Sequence, residues 1–181
     1  MENTVNMDKL SSLLEKKHHS ALSIYYTAGF PKLGDTLKIA QYLEQAGADL
    51  IEIGMPYSDP VADGPTIQQS NQVALENGMT IEVLMGQLED LKQVINIPVL
   101  LMGYLNPILQ YGMEDFCKQC YERGVSGLII PDLPIQEYLK HYHELFAKYQ
   151  LTNIFLITPQ TSDERIRWID QNSSSFIYAV S

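Results

Sequence analysis

The sequence predicts an α/β protein of the TIM (β/α)8 barrel class, of which about six βα units are present. Short apolar β-rich segments alternate with longer amphipathic segments, as in repeated βαβ units. The first βα turn, residues 27–31, contains no Gly-x-Gly-x-x-Gly sequence, which weighs against an open dinucleotide-binding sheet. Polar residues also follow several different strands, which is how a barrel builds its site. They are Thr27, Asp59, Asp63, Asn106, Asp132 and Gln160.

Six strands are predicted from short runs that are mostly apolar on both faces, as expected of parallel strands covered by helices. They span residues 22–27, 50–54, 99–104, 127–131, 154–158 and 176–180. A leading helix is predicted at about 7–17. No linker, low-complexity segment or composition shift divides the chain, so we expect residues 1–181 to form a single, incomplete barrel domain.

The predicted helices between the strands show a period of 3.6 residues. One apolar stripe consists of Ile81, Leu84, Leu88, Leu91 and Ile95, and another of Tyr138, Tyr142, Leu145 and Tyr149. We interpret both stripes as core-facing. Helix ends are predicted from C-terminal glycines and from a capping-box spacing before the last helix. These residues are Gly47, Gly78 and Gly124, and Thr161 with Glu164.

Composition disfavours several classes of function. The chain has 181 residues, a mass of 20.5 kDa and a formal net charge of -10, with no local cluster of lysine or arginine. That charge disfavours nucleic acid and anionic membranes as partners. The sequence shows neither a signal peptide nor a long apolar span, and we therefore expect a cytoplasmic protein.

The two cysteines, Cys117 and Cys120, have the spacing of a redox motif or of half a zinc site. They lie within a helical segment, and no second Cys or His pair stands nearby to complete a metal site. We therefore interpret them as reduced thiols and predict no metal site. The histidines lie on polar helical segments and are predicted to be solvated: His18, His19, His141 and His143.

An acid interrupts the second predicted strand. Because strand side chains alternate, Glu52 shares one face with Leu50 and Gly54, while Ile51 and Ile53 take the other. Burying an unpaired carboxylate costs on the order of several kcal/mol or forces it to bind a proton, and such raised pKa values are typical of catalytic groups. The alternative is a structural Glu that is satisfied by backbone donors or by a basic neighbour.

A second acid, Asp63, follows in a loop rich in Pro and Gly. If both acids face one opening, the buried acid holds a proton near neutrality and acts as general acid, while the wetter one acts as base or electrostatic partner. Such a pair supports cleavage or isomerisation without a metal. Three tyrosines lie within or at the end of strands and either wall a pocket for a flat aromatic ligand or pack the core. They are Tyr25, Tyr104 and Tyr178.

The segment that contains both acids resembles a known family. Residues 51–65 read IEIGMPYSDPVADGP, and further matches are YTAGFP at 26–31, MGYLNP at 102–107 and PDLP at 131–134. These motifs resemble the signature of the tryptophan synthase alpha subunit family, over about residues 10–181. The resemblance implies an eight-stranded βα barrel and a retro-aldol cleavage of indole-3-glycerol phosphate into indole and glyceraldehyde 3-phosphate. It also implies that no cofactor is needed.

The resemblance further implies roles for individual residues. Glu52 is the expected acid/base, which delivers a proton to the indole carbon bearing the side chain and takes one from the glycerol hydroxyl. Asp63 is the expected carboxylate that stabilises positive charge developing at the indole N–H. Thr27 is expected to support the loop that carries Asp63. The implied lining of the indole pocket is Tyr25, Met102, Tyr104, Ile129, Leu156 and Tyr178.

A protein partner is implied as well: the tryptophan synthase beta subunit, a pyridoxal phosphate enzyme, in an alpha2-beta2 complex. The positions expected to meet it are Pro56, Tyr57, Asp59, Asn106, Pro107, Asp132 and Pro134. Two rival interpretations stay open: another barrel lyase or isomerase of a phosphorylated aromatic intermediate, and a non-catalytic barrel that docks on and activates a beta-type subunit. The presence of both Glu52 and Asp63 disfavours the second, since docking requires neither.

The number of strands leads to one further expectation. A closed barrel needs two more βα units than six, so we expect a truncated or partly recorded polypeptide. The mobile loop after the sixth strand and the Gly-rich phosphate-binding turns of the family would then be missing. We expect the full-length protein to be the lyase and the 181-residue chain alone to be inactive or nearly so.

Overall fold

The computed structural model describes residues 9–17, 20–59 and 63–180, within which strands and helices alternate as predicted. The strands are β1 (Ser23–Thr27), β2 (Leu50–Gly54), β3 (Val99–Met102), β4 (Gly127–Ile129), β5 (Thr152–Ile154), β6 (Leu156–Ile157) and β7 (Tyr178–Ala179). The helices are α1 (Lys9–Lys16), α2 (Thr36–Gln45), α3 (Pro65–Glu76), α4 (Ile81–Gln87), α5 (Leu91–Val94), α6 (Leu105–Tyr111), α7 (Met113–Arg123), α8 (Ile135–Glu137), α9 (His143–Lys148) and α10 (Asp163–Asn172). A 3-10 helix spans Leu33–Asp35 and a π-helix spans Tyr138–Tyr142.

The strands form two parallel sheets. Five strands lie in the order β1-β2-β3-β4-β5, and β6 pairs with β7. Every neighbouring pair is parallel. Within each sheet every strand pairs in parallel with the next one along the chain, and helices connect the paired strands, so their carboxyl ends lie at one edge. This is the connectivity of a βα barrel, of which the chain forms a part.

The fifth predicted strand is wrong in its bounds, because residues 154–158 are not one strand. The structure has β5 at Thr152–Ile154 and β6 at Leu156–Ile157. The Tyr178 amide donates to the Phe155 carbonyl at 2.8 Å, so the backbone changes its partner from β4 to β7 at Phe155. The described residues therefore form seven short strands in place of six. The strand β2 has its predicted bounds, and β1, β3, β4 and β7 are each one to three residues shorter than predicted.

Side chains from the two faces of the sheet form separate apolar cores. Ile51 and Ile53 of β2 pack outward against the surrounding helices, where Phe116 of α7 is fully buried. Leu50 of the same strand packs inward, in a second cluster with Leu100, Ile129, Ile154 and, from α1, Leu10. We call this second cluster the inner core. An apolar filling on both sides of one curved parallel sheet is the arrangement of a barrel wall.

The leading helix closes one end of the inner core. The Lys9 ammonium donates to the Ile95 carbonyl at 3.0 Å, shortly before β3 begins, so α1 lies across the amino ends of the strands. The predicted helix is confirmed over Lys9–Lys16, and residues 7 and 8 lie outside the described residues. The carboxyl ends of the strands form the opposite end, where the polar residues predicted for the site are found.

Two helical predictions need correction. The first apolar stripe is carried by two helices, α4 and α5, which a turn at residues 88–90 separates, although Leu84, Leu88, Leu91 and Ile95 are all buried. The second stripe begins in the π-helix and continues into α9. In both cases the apolar residues pack in the helix-facing core that contains Phe116, as predicted, because packing of a stripe does not require one unbroken helix.

The predicted helix ends are confirmed at three positions and wrong at one. Gly47, Gly78 and Gly124 follow α2, α3 and α7 with positive φ, which glycine adopts without steric cost. The N-cap of α10 is Ser162, whose hydroxyl accepts a hydrogen bond from the Arg165 amide at 3.3 Å. The Thr161 hydroxyl instead accepts from the Thr158 amide at 2.9 Å, so the predicted box of Thr161 and Glu164 does not form.

The cysteines and the described histidines agree with their predictions. Cys117 and Cys120 are free thiols buried on α7, and burial raises the pKa of the Cys117 thiol to about 12. His141 and His143 are exposed, while His18 and His19 lie outside the described residues. Among residues 9–17, 20–59 and 63–180, no helix combines the length and the apolar character needed to cross a bilayer.

Candidate active site

The strand β2 carries Glu52 into the inner core. All five residues of β2 are buried, and Glu52 is only 3% exposed. The register places it beside Tyr25 of β1 and Leu100 of β3. Because strand side chains alternate, Glu52 shares the inward face with Leu50, and an ionisable group therefore lies within apolar surroundings.

The two carboxyl oxygens of Glu52 differ in their partners. The Ser23 hydroxyl donates to Oε1 at 2.5 Å, whereas Oε2 is buried and has no hydrogen-bond partner among the described residues. Burial raises the pKa of Glu52, and the hydroxyls of Ser23 and Tyr178 oppose that rise by favouring the carboxylate. Glu52 therefore has one anchored oxygen and one oxygen available for proton exchange.

Asp63 lies on the segment between β2 and α3 and is half-buried. The helix α3 begins with Pro65 directly after Gly64, a favourable first position for proline. The Gln68 side-chain amide donates to the Asp63 carbonyl at 2.8 Å and so holds the backbone that presents the carboxyl group. Partial burial raises the pKa of Asp63. The site thus combines a nearly inaccessible acid with a second acid that remains in contact with solvent.

Tyr25 links the two acids. Burial is the main cause that raises the pKa of Tyr25; a hydrogen bond with Thr27 lowers it, and the charges of Asp63 and Glu52 raise it, so both carboxylates act on one phenol. Gly54 provides the space that the ring occupies: a Cβ added there would overlap the Tyr25 hydroxyl and lie 2.6 Å from its Cζ. Within the described ranges, no cluster of three or more His, Cys, Asp or Glu side chains is arranged to hold a metal ion.

Thr27 connects the end of β1 to the helix that follows Asp63. Its hydroxyl lies 2.7 Å from the Ser70 hydroxyl in a buried contact. The Ser70 hydroxyl also lies 2.9 Å from the Ile67 carbonyl, to which it donates within α3. This contact joins β1 to α3, the helix that follows the segment carrying Asp63.

The other predicted substrate-binding residues surround the same interior. Met102, Leu156 and Tyr178 pack against the inner core, which includes the fully buried Ile129. Tyr104 is buried, and its ring centroid lies 5.2 Å from that of Tyr57 at an interplanar angle of 37°. The structure therefore gathers apolar and aromatic surface around the two acids, which suits a flat aromatic ligand.

Sequence reasoning does not identify Ser23, the residue that hydrogen-bonds Glu52. Alternation along β1 places Ser23 on the same face as Tyr25 and Thr27, and this is the signal that the sequence offers. Which of these side chains meets Glu52 depends on the register between β1 and β2. That register is a property of the assembled sheet.

The residues predicted to meet a protein partner follow β2, β3 and β4 at the edge formed by the carboxyl ends of the strands. They are Pro56, Tyr57, Asp59, Asn106, Pro107, Asp132 and Pro134. Asp132 also has a role within the chain, since its Oδ1 accepts from the Leu105 amide at the start of α6 at 2.9 Å. With Arg165 of α10, Asp132 and Pro134 border a cleft of about 250 Å³.

Comparison with known proteins identifies the family. The sequence model described as "Tryptophan synthase alpha chain" matches residues 11–181. Curated relatives of that name include those of Flavobacterium psychrophilum and Christiangramia forsetii, which are 57% and 58% identical over 175 residues. The matched segment covers 97% of this chain in both, and 69% and 68% of the relatives.

Solved structures agree. The crystal structure of the tryptophan synthase alpha chain from Legionella pneumophila superposes with a TM-score of 0.89 at 36% identity, covering 97% of this chain and 67% of that one. The tryptophan synthase complex from Pyrococcus furiosus gives a TM-score of 0.83 at 36% identity, covering 90% and 67%. The motifs at 51–65, the partial βα barrel and these similarities agree, and the chain therefore belongs to the tryptophan synthase alpha chain family, lyases of tryptophan biosynthesis.

Proposed function

We propose that the native protein cleaves indole-3-glycerol phosphate into indole and glyceraldehyde 3-phosphate by general acid/base catalysis, with Glu52 and Asp63 as the catalytic residues. The observation that carries this proposal is the state of Glu52. It lies in an apolar interior with one oxygen held by Ser23, while the other makes no hydrogen bond to any residue that the structure describes. A buried carboxyl group with a raised pKa and a free oxygen can exchange a proton with a bound ligand.

The proposed reaction breaks one carbon–carbon bond without a cofactor. Glu52 delivers a proton to the indole carbon that bears the glycerol side chain, and takes the proton of the adjacent glycerol hydroxyl. As that oxygen becomes the aldehyde of glyceraldehyde 3-phosphate, the electrons of the carbon–carbon bond return to the indole ring. Asp63, the more exposed acid, stabilises the positive charge that develops at the indole N–H.

The shape of the interior supports an aromatic substrate. In the proposed complex the indole ring lies among Tyr25, Met102, Tyr104, Ile129, Leu156 and Tyr178, the apolar and aromatic residues grouped around Glu52. Exclusion of water from this apolar space strengthens the interaction between each carboxyl group and the reacting atoms. Thr27 contributes through α3, by holding the helix that follows Asp63.

The proposal includes a protein partner and a cellular location. One solved relative is described as a tryptophan synthase complex. We propose that this chain binds the pyridoxal phosphate-dependent beta subunit in an alpha2-beta2 complex, through the loops that follow β2, β3 and β4. Those loops lie at the mouth from which indole would leave. The free thiols Cys117 and Cys120 are typical of a reducing compartment, which supports the cytoplasm as the location.

The test is an indole-release assay on the protein purified from its native gene. We expect Glu52→Gln to reduce kcat at least 1,000-fold, on the order expected for loss of an essential acid/base, and Asp63→Asn to reduce it strongly as well. Glu82→Gln, an exposed acid on α4, is the matched control and should retain full activity. Cleavage by Glu52→Gln at the native rate would refute the proposal.

Two further measurements belong to the same experiment. The first is whether the Glu52→Gln variant still activates a beta subunit, which distinguishes an enzyme from a docking module. If the chain is an enzyme, we expect this variant to lose cleavage and to retain activation. The 181-residue chain is assayed in parallel, and we expect it to release little or no indole by itself. Turnover by that chain at an ordinary enzymatic rate would contradict this last expectation alone.

A further inference from the structure

The Ser23 hydroxyl is the donor that holds Oε1 of Glu52. It donates to this oxygen at 2.5 Å, across the gap between β1 and β2. Hydrogen bonds from a hydroxyl to a carboxylate are short and strong when the acceptor is charged. Ser23 is itself exposed, so its side chain has no role in filling the core. The hydrogen bond therefore acts on the position and the charge of the Glu52 side chain, and it does not contribute to packing of the core.

The register of the sheet fixes the direction of this contact. Ser23 pairs with Leu50 and Tyr25 pairs with Glu52, so Ser23 lies one inward-facing position closer to the amino ends of the strands. Oε1 of Glu52 is thereby held towards the end of the barrel that α1 covers. The site predicted for the substrate lies at the opposite end. A carboxyl group anchored in this way keeps Oε2, which has no hydrogen-bond partner in the described part of the chain, free to react.

The Tyr178 hydroxyl also favours the Glu52 carboxylate, but no donor among the described residues makes a hydrogen bond to Oε2. Tyr25 from β1 and Tyr178 from β7 are the titratable groups coupled to its charge, and Asp63 acts near Tyr25. Across the interior, the strands β3 to β6 present apolar side chains, which are Leu100, Met102, Ile129, Ile154 and Leu156. Without the Ser23 hydroxyl, Oε1 would lose the donor that orients it.

From this geometry we infer that Ser23 is a positioning residue for catalysis: its hydroxyl anchors Oε1 of Glu52 and leaves Oε2 directed to exchange protons with the substrate. The inference rests on the proposed function, since it takes Glu52 as the acid/base. Ser23 acts through Glu52 and does not touch the substrate. Its removal should therefore change the rate of the proton-transfer step and leave substrate binding unchanged.

The first test compares three variants of the protein purified from its native gene. We expect Ser23→Ala to lower kcat about tenfold with KM unchanged, the effect of losing one hydrogen bond to a charged group. Loss of that donor also disfavours the carboxylate, so the limb of the pH–rate profile that Glu52 controls should move up by about one pH unit. Ser23→Thr keeps a hydroxyl at this strand position and should restore both properties to within about twofold.

The matched control is Ser20→Ala, an exposed serine three positions earlier in the chain, which should leave kcat and the pH profile as in the native protein. A purely structural role for Ser23 predicts a different pattern, in which kcat falls without any shift of the pH limb. The inference is overturned by that pattern, by a Ser23→Ala enzyme with native kcat and pH profile, or by equal losses in Ser23→Ala and Ser23→Thr.

A second readout does not depend on activity. The carboxyl carbon of Glu52, labelled with carbon-13 and assigned from the signal that Glu52→Gln lacks, is titrated by NMR in the native protein and in Ser23→Ala. A higher midpoint in Ser23→Ala supports the contact, and an identical midpoint overturns it. If Glu52→Gln keeps native activity, the proposed function fails by itself, and this titration still decides whether Ser23 controls the carboxyl group.

Discussion

Replacing Gly54 by alanine adds a methyl group where the Tyr25 ring now lies. The backbone of Gly54 is ordinary strand, without the positive φ that favours glycine, so the obstacle is the ring alone. The added Cβ would overlap the Tyr25 hydroxyl and would lie 2.6 Å from Cζ and 2.8 Å from Cε2. These separations are far below van der Waals contact, and either the ring or the strand must move.

The magnitude follows from the position of the clash. Overpacking of a buried site costs about 1–3 kcal/mol. For a chain of this size about 1 kcal/mol lowers Tm by roughly 2–4 °C, so Gly54→Ala should lower Tm by roughly 2–12 °C. The nearest atoms belong to the far end of the Tyr25 side chain, so rotation of that side chain relieves most of the clash. We therefore expect a decrease in Tm near the lower end of this range. That rotation moves the phenol on which both Glu52 and Asp63 act, so indole release should fall as well.

The assay is thermal unfolding of Gly54→Ala, Tyr25→Ala and the double variant, combined with indole release. In the Tyr25→Ala background the space is open, and Gly54→Ala should cost less than about 0.5 kcal/mol, which gives a positive coupling between the two sites. Gly34→Ala is the control, because nothing lies within 4 Å of a Cβ added there. An equal loss of stability by Gly54→Ala in both backgrounds would refute the reasoning, as would no loss in either.

The remaining predictions concern a pH dependence, two thiols and one loop contact. Burial raises the pKa of Glu52, so the stability it contributes is complete below its ordinary value of 4.5 and is lost as pH rises through the raised value. Urea midpoints of the native protein should therefore fall relative to those of Glu52→Gln as the pH rises above about 4.5, and parallel curves would contradict this. Cys117 and Cys120 should react with a thiol reagent only after unfolding, because both are buried and the pKa of Cys117 is raised to about 12; rapid labelling of the native chain would contradict this. Asp132→Ala should cost about 1 kcal/mol in urea unfolding, since its carboxylate accepts from the Leu105 amide; Asp132→Asn keeps an acceptor, and an equal loss in both would oppose this assignment.

Local sequence signals predict much of the fold, and the predictions that failed concern positions decided by contacts with other segments of the chain. The strand β2 has its predicted bounds because a short, mainly apolar run ends at Gly54 and Pro56 follows two residues later. The division at Phe155 could not be predicted in this way. Residues 154–157 are apolar throughout, and the strand is interrupted there because the Tyr178 amide, more than twenty residues later, donates to the Phe155 carbonyl.

The N-terminus of α10 shows that sequence alone can also fail to predict a contact between residues that are close in the chain. Thr161 with Glu164 and Ser162 with Arg165 offer competing starts for α10, and the spacing alone favours the first. In the folded chain the Thr161 hydroxyl is already engaged by the Thr158 amide, so Ser162 caps the helix. Sequence spacing shows which residues are able to cap a helix, and the surrounding turn decides which one does so.

The sequence by itself determined the class of fold, the family, and the placement of two acids and several tyrosines at strand ends, because alternation and motif spacing are encoded locally. The tertiary structure decided how those residues meet. Only the pairing of β1 with β2 places Ser23 against one oxygen of Glu52, and only the packing of Tyr25 over Gly54 brings the phenol near both acids. Register and burial depend on contacts between segments far apart in the chain, and these determine the charge and the freedom of Glu52.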